Sequence, residues 1–395
     1  MPTKTFQSLL IVILIFAVAG LGLYYLVGKD RLKRENNNPP VVEVPSNGEN
    51  GGSDDGQDNN GDDTPEPFIV ATDLNIPWEV AYIEEEGFLI TERPGNLVRL
   101  NMDGNKRFIP IEEVNPFGEG GLMGLALHPN FSDNNYIYLY LTTESGIRVV
   151  NKVERYRYDL NSNELSDKTL IIGDIPGSRN HDGGRIAFGP DGFLYITTGD
   201  AGNSSLSQDR NSLAGKILRL RDDGSVPEDN PFGSPVWAYG LRNSQGLAWD
   251  GQERLWATDH GRSGISSGFD ELNLIERGKN YGWPEIQGDE EREGMERPVI
   301  HSGATTTWAP AGLGYLGGRL FFAGLRGSAL YSVAVGEDGG ISDFKTHYED
   351  EFGRLRAVLV ADGDLYISTS NRDGRGSEND GDDKMIRITL EAIFE

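Results

Sequence analysis

The chain has 395 residues and no cysteine, which removes disulfide frameworks, thiolate zinc sites, cysteine nucleophiles and cysteine-ligated iron–sulfur clusters together. Its 36 Lys and Arg stand against 62 Asp and Glu, a formal charge of −26 that argues against nucleic acid as a partner, since phosphate binding needs a basic footprint. The 52 glycines and 19 prolines point to many tight turns and short strands rather than long helices.

Residues 8–27 (SLLIVILIFAVAGLGLYYLV) are uncharged and apolar over the length that crosses a bilayer as a helix. The expectation is an N-terminal transmembrane helix within a membrane-anchor segment, residues 1–34. The alternative is a cleaved signal peptide, because Ala17-Val18-Ala19 is a small-x-small site, although the apolar run continues well past it. Lys29, Arg31, Lys33 and Arg34 follow the span and only Lys4 precedes it, a bias that alone would put the C-terminal side in the cytoplasm. Residues 35–66 collapse to Asn, Gly, Asp, Pro and Ser with no Lys or Arg, the composition of a disordered acidic linker. Residues 67–395 contain no second linker and read as one domain.

Within that domain one pattern occurs six times: an apolar stretch, a turn with Asp or Gly, then alternating large apolar residues ending in a small one, often Thr or Ser. IAFGPDGFLYITTGD (186–200), LAWDGQERLWATDHG (247–261) and VLVADGDLYISTSN (358–371) are three instances. With Leu89, Ile137, Leu194, Leu255, Leu320 and Leu365 taken as equivalent, the mean spacing is about 55 residues, near the period of a four-stranded propeller blade. One blade cannot bury both its faces, whereas six around an axis can. The expected fold is therefore all-β, a six-bladed β-propeller, with a β-sandwich as the alternative.

In a propeller the loops between strands converge on the axis, so polar residues just before the repeated hairpins meet although far apart in sequence. Four such loops are GEGGLMGLALHP (118–129), NHDGGRI (180–186), GLRNSQG (240–246) and GRLR (353–356). With DELNLIERGKNYGWP and GRLRAVLVADGDLYISTSNRDGRG, these stretches resemble, in order and over residues 70–390, the soluble pyrroloquinoline-quinone (PQQ) sugar dehydrogenases, the glucose/sorbosone and aldose sugar dehydrogenase family.

The resemblance implies oxidation of the anomeric hydroxyl of an aldose to the lactone, with PQQ and calcium as cofactors. It makes His181 the general base, a role suited to an imidazole's ordinary pKa of about 6.5, with the flanking Asn180 and Asp182 expected to orient it. PQQ is a planar tricarboxylate, and guanidinium forks and amide donors suit it. The matching cofactor positions are Glu119, Arg242, Asn243, Gly261, Thr307, Arg354 and Arg356, with Arg326 where glucose-oxidising members carry Lys. Main-chain carbonyls of Gly261 and Arg262 match the family's catalytic calcium site, and Glu271 and Tyr281 a second, structural one, although the intervening loop RSGISSGFDELN is longer here. The resemblance further implies an extracytoplasmic domain, tethered to the membrane by the anchor, that passes electrons to an acceptor such as a quinone or a cytochrome. Two other classes stay open on the sequence: a propeller that binds sugar or protein without turnover, and a calcium-dependent propeller lactonase built on a carboxylate cage.

Overall fold

Each recurrence of the apolar pattern folds as the first two strands of a four-stranded antiparallel sheet. The structure, a computed structural model, describes residues 66–264 and 267–394. A first strand, β1 (Phe68–Ala71), precedes the blades. Blade 1 is β2 (Pro77–Ile83), β3 (Gly87–Glu92), β4 (Asn96–Asn101) and β5 (Lys106–Pro110). Blade 2 is β6 (Leu122–Leu127), β7 (Tyr136–Ser145), β8 (Arg148–Asp159) and β9 (Glu164–Pro176). Blade 3 is β10 (Ile186–Phe188), β11 (Leu194–Thr198), β12 (Lys216–Leu220) and β13 (Val236–Tyr239). Blade 4 is β14 (Ser244–Trp249), β15 (Leu255–Asp259), β16 (Glu271–Ile275) and β17 (Ile300–His301). Blade 5 is β18 (Pro310–Leu316), β19 (Arg319–Gly324), β20 (Ala329–Val335) and β21 (Ile341–His347). Blade 6 is β22 (Leu355–Ala361), β23 (Asp364–Thr369) and β24 (Met385–Ile388), completed by β1.

The six residues equated in the sequence each lie on the second strand of a different blade, and all are buried. The expected six-bladed propeller is the observed fold, and the sandwich alternative is set aside. First strands of neighbouring blades pack together, β2 against both β6 and β22, so they line the axis. Blades are covered on both faces by their neighbours, and the second and third strands therefore read as continuous buried runs such as LYITT and KILRL rather than as alternation. The outer strands lose this cover: β5 and β21 are largely exposed.

The core is accordingly a set of wedges between adjacent blades. One joins Tyr138, Tyr140 and Val153 of blade 2 to Ile186, Leu194 and Leu218 of blade 3. Another joins Trp256 and Leu272 of blade 4 to Leu320 and Phe322 of blade 5. Strand β1 closes the ring by pairing with β24, Phe68 opposite Arg387 and Ile69 opposite Ile386.

The expected anchor at 1–34 and all but the last residue of the linker at 35–66 lie outside the described residues. Among the described residues no helix is long and apolar enough to cross a membrane.

Candidate active site

All six first strands start at the same end of the axis, so the loops that precede them crowd one mouth. Glu119 comes from the loop before β6, His181 from that before β10, Arg242 and Asn243 from that before β14, Thr307 from that before β18 and Arg354 from that before β22. These residues line one cavity of about 300 Å³. Loops that join second to third strands complete it, with His260, Gly261, Arg262 and Asp270 after β15, Arg326 after β19 and Arg375 after β23.

The His181 loop is held by backbone contacts that only small residues allow. His181 itself has φ 64°, a conformation uncommon for a residue with a side chain and frequent at functional sites. Its carbonyl packs on Gly199, where a Cβ would lie 1.9 Å from the oxygen. Glu119 Oε2 accepts the His181 N–H at 2.9 Å, and the Glu119 N–H donates to the Arg179 carbonyl, so the two loops brace each other.

His181 Nδ1 lies 2.7 Å from Asp200 Oδ1. Asp200 also accepts from the Gly202 N–H and, at 2.9 Å, from Trp283 Nε1. Burial would raise the Asp200 carboxyl, but the hydrogen bond and charge of His181 together with the Trp283 donor hold it below its ordinary value. An ionised Asp200 accepts the Nδ1 proton, which leaves the Nε2 lone pair as the basic atom of the ring. Of the neighbours expected to orient His181, Asp182 is turned away, accepting from Asn151 Nδ2 and the Ser178 N–H, and burial pushes its carboxyl up to about 6.

Around this imidazole the cavity gathers five guanidinium groups, those of Arg242, Arg262, Arg326, Arg354 and Arg375, against the carboxylates of Glu119 and Asp270. Asp270 is already committed to the N–H groups of Gly261, Trp308 and Ala309. Burial lowers the pKa of Arg242, and that of Arg356 to about 9, so both cations lack part of the counter-charge that their desolvation calls for. Buried Asp373 holds Arg354 at 2.8 Å and approaches Arg356 at 3.9 Å. Thr307 Oγ1, His260 Nε2 and Arg262 Nε are buried in the lining without a partner. A surplus of cations and spare donors in a strongly acidic chain is an anion site.

The family profile described as Glucose / Sorbosone dehydrogenase matches residues 74–379. The chain belongs to this family. The PQQ-bound aldose sugar dehydrogenase of Streptomyces coelicolor is 40% identical, with a TM-score of 0.76, over 81% of this chain and 95% of that one. The aldose sugar dehydrogenase YliI of Escherichia coli is 29% identical over 78% of this chain and 90% of its own length. Quinoprotein glucose dehydrogenase B of Acinetobacter calcoaceticus is 30% identical over 57% of this chain and 54% of its own.

In this glucose/sorbosone-type dehydrogenase the structure gathers Glu119, His181, Arg242, Asn243, Gly261, Arg262, Thr307, Arg326 and Arg354 at one cavity. Arg356 lies behind them on β22, its Nη1 donating to Gln245 Oε1 at 3.0 Å. Glu271 and Tyr281 do not line the cavity. Glu271 accepts from Asn273 Nδ2, and the Tyr281 hydroxyl donates to the Leu274 carbonyl. Among the described residues no three His, Asp or Glu side chains are arranged to hold a metal ion.

Sequence reasoning missed Asp200, Trp283, Asp373, Arg375 and the His260 side chain. Asp200 carried a usable signal, since it follows ITTG at the end of β11, the strand paired with the one His181 precedes. The others come from loops with no recurring pattern.

Proposed function

We propose that the protein oxidises the anomeric hydroxyl of an aldose to the lactone, with PQQ as hydride acceptor and calcium as its partner cation. The observation that carries this reading is the 2.7 Å contact of His181 Nδ1 with Asp200, set at the wall of a cavity with more guanidinium than carboxylate groups. The residues present fit the cofactor: the lining carries more guanidinium than carboxylate groups, as a polycarboxylate ligand requires, and the unpartnered Thr307 hydroxyl is a further donor. Arg242, Arg354, Arg326, Arg375 and the Asn243 amide would hold it, with Arg356 supporting the cluster from below. When bound, PQQ supplies an electrophilic quinone carbonyl that takes up hydride.

His181 takes the hydroxyl proton at Nε2 as the hydride leaves the anomeric carbon. Asp200 keeps Nδ1 protonated and stabilises the imidazolium that forms. Glu119 does not compete as base. Burial would raise its carboxyl, but the His181 N–H and Arg375 prevail and hold it at about 2, so it stays ionised. Burial likewise lowers His260 to about 3, which leaves it neutral and a poor proton acceptor.

Calcium fits through main-chain oxygens. Gly261 and Arg262 both line the cavity, and their main-chain oxygens would hold the cation, that of Arg262 in exchange for the hydrogen bond it accepts from the Gly268 N–H. A hard cation bound there would act as a Lewis acid beside the substrate. A second calcium at Glu271 and Tyr281, and an extracytoplasmic, membrane-tethered placement through residues 1–34, complete the proposal.

The test is to reconstitute the full chain with PQQ and calcium and to follow reduction of an artificial dye with a panel of aldoses. His181→Gln should lower turnover by roughly two to four orders of magnitude while PQQ titrates as in the wild type. If that variant reduces its cofactor at the wild-type rate in a single turnover, the base is another group.

A further inference from the structure

Asp200 holds His181 with one carboxylate oxygen and is itself held by the other. Oδ1 takes the His181 Nδ1 contact and the Gly202 N–H. Oδ2 has a single donor among the described residues, the indole N–H of Trp283 at 2.9 Å. Asp200 is only 2% exposed, so bulk water is largely kept from it, and a buried carboxylate oxygen left without a donor is costly. The indole N–H therefore fixes the carboxylate plane on which the imidazole rests.

The same indole meets a second residue of the site through its face. The Arg242 guanidinium carbon lies 5.3 Å from the Trp283 ring centroid, and Arg242 Nη2 donates to Ser263 Oγ at 2.6 Å. Both partners are neutral, and a π face attracts a desolvated cation without cancelling its charge. Arg242 thus keeps its charge for an anion in the cavity that it lines.

Trp283 comes from the connection between β16 and β17 and does not itself line the cavity. Its main chain is tied to the two loops that its side chain serves. The Trp283 N–H donates to the Gly240 carbonyl at 2.9 Å, in the loop that carries Arg242. The Trp283 carbonyl accepts from Gln208 Nε2 at 2.6 Å, in the connection that begins with Asp200. Gln208 and Asn280 then exchange side-chain amide hydrogen bonds, Nε2 to Oδ1 at 3.1 Å and Nδ2 to Oε1 at 2.8 Å. A Cβ at Gly240 would lie 2.1 Å from Asn280 Oδ1, so the clamp closes only on a glycine.

We propose that Trp283 is a positioning residue that couples the base to the cofactor site: its N–H fixes Asp200, and through it the Nδ1–H tautomer of His181, while its ring face holds the Arg242 guanidinium ready for an anionic cofactor. This rests on the PQQ-dependent reading of the site. Proton abstraction and cofactor binding then depend on the setting of one ring, and substitutions at that ring separate them.

Trp283→Phe keeps a ring face and removes the N–H, whereas Trp283→Leu removes both. Benzothienylalanine placed at position 283 keeps the shape of the indole with sulfur in place of the N–H. In the full chain without cofactor, labelled with nitrogen-15 in its histidines, the His181 signals are assigned with His181→Gln. At alkaline pH, where an imidazole is neutral, the wild type should show one tautomer of His181, protonated at Nδ1, and the Phe and benzothienylalanine proteins a mixture of two. Both proteins should bind PQQ within about twofold of the wild type and, once loaded, be reduced by aldose in a single turnover roughly tenfold or more slowly. Trp283→Leu should share the slow step and bind PQQ about tenfold more weakly. Melting temperatures report folding, and if Trp283→Phe is underpacked, the benzothienylalanine protein decides. A wild-type tautomer or a wild-type single-turnover rate in the benzothienylalanine protein overturns the link to the base. Equal PQQ affinity of the Leu and benzothienylalanine proteins overturns the link to Arg242. Should the wild type bind no PQQ, or no aldose reduce it, the reading of the site fails, while the His181 tautomer in the cofactor-free chain still decides whether Trp283 positions the imidazole.

Discussion

In the proposed reaction the two ring nitrogens of His181 have different tasks. Asp200, braced by Trp283 and the Gly202 N–H, fixes the proton on Nδ1. In Asp200→Asn a neutral amide replaces the carboxylate, so it neither selects the tautomer nor stabilises the imidazolium. Turnover should fall by roughly two to four orders of magnitude with PQQ titration unchanged. A loss of PQQ binding instead would make Asp200 a structural residue of the cofactor site. Glu119 gives a pH signature. Its folded carboxyl sits at about 2 against an ordinary 4.5, so its stabilisation is complete above about pH 4.5 and is lost as pH falls toward 2. Melting temperatures of the wild type and Glu119→Gln should therefore converge on acidification from pH 5 to pH 3. Parallel curves over that range would show that Glu119 is not held ionised by the His181 loop.

At the scale of the strand, the fold depends on having no free edge near its seam. Blade 6 owns only three strands of its own, and β1 supplies the fourth through pairs such as Ile69 with Ile386. A chain shortened to begin after Ala71 would expose the unpaired edge of β24 and remove the non-covalent closure between the two ends of the propeller. We expect a melting temperature lower by at least several degrees and concentration-dependent aggregation, whereas a chain beginning at residue 67 behaves as the full domain. Equal melting of the two shortened chains would show that the interblade wedges alone hold the ring shut. Those wedges explain why β3, β11 and β15 tolerate no polar face: neighbouring blades cover both sides.

At the scale of the whole molecule, a chain of net charge −26 concentrates guanidinium groups at one mouth and lines the other mostly with apolar residues, Glu79 and Arg185 apart. The polarity follows from strand direction, because residues before the first strands face one end and residues at their far ends face the other. Calcium would act on the whole fold through mass action, since a ligand that binds only the native state stabilises it. Saturating calcium at a hundredfold over its Kd should add about 2.7 kcal/mol, read as a higher melting temperature that exhaustive chelation reverses. If chelation changes neither melting nor turnover, calcium has no part in the site.

The sequence by itself carried the blade count, because alternation and turn chemistry are local: Leu89, Ile137, Leu194, Leu255, Leu320 and Leu365 fall on the six second strands. Through the family resemblance it also pointed to His181, Arg242 and Arg354, which the structure sets in loops just before first strands. The partner of His181 was read as its sequence neighbour, Asp182 in place of Asp200. Trp283 meets Asp200 across 83 residues and Arg375 meets Glu119 across 256, separations that leave no local pattern. The tertiary structure alone decided these pairs, because closing six blades into a ring brings loops together at the axis whatever their distance along the chain.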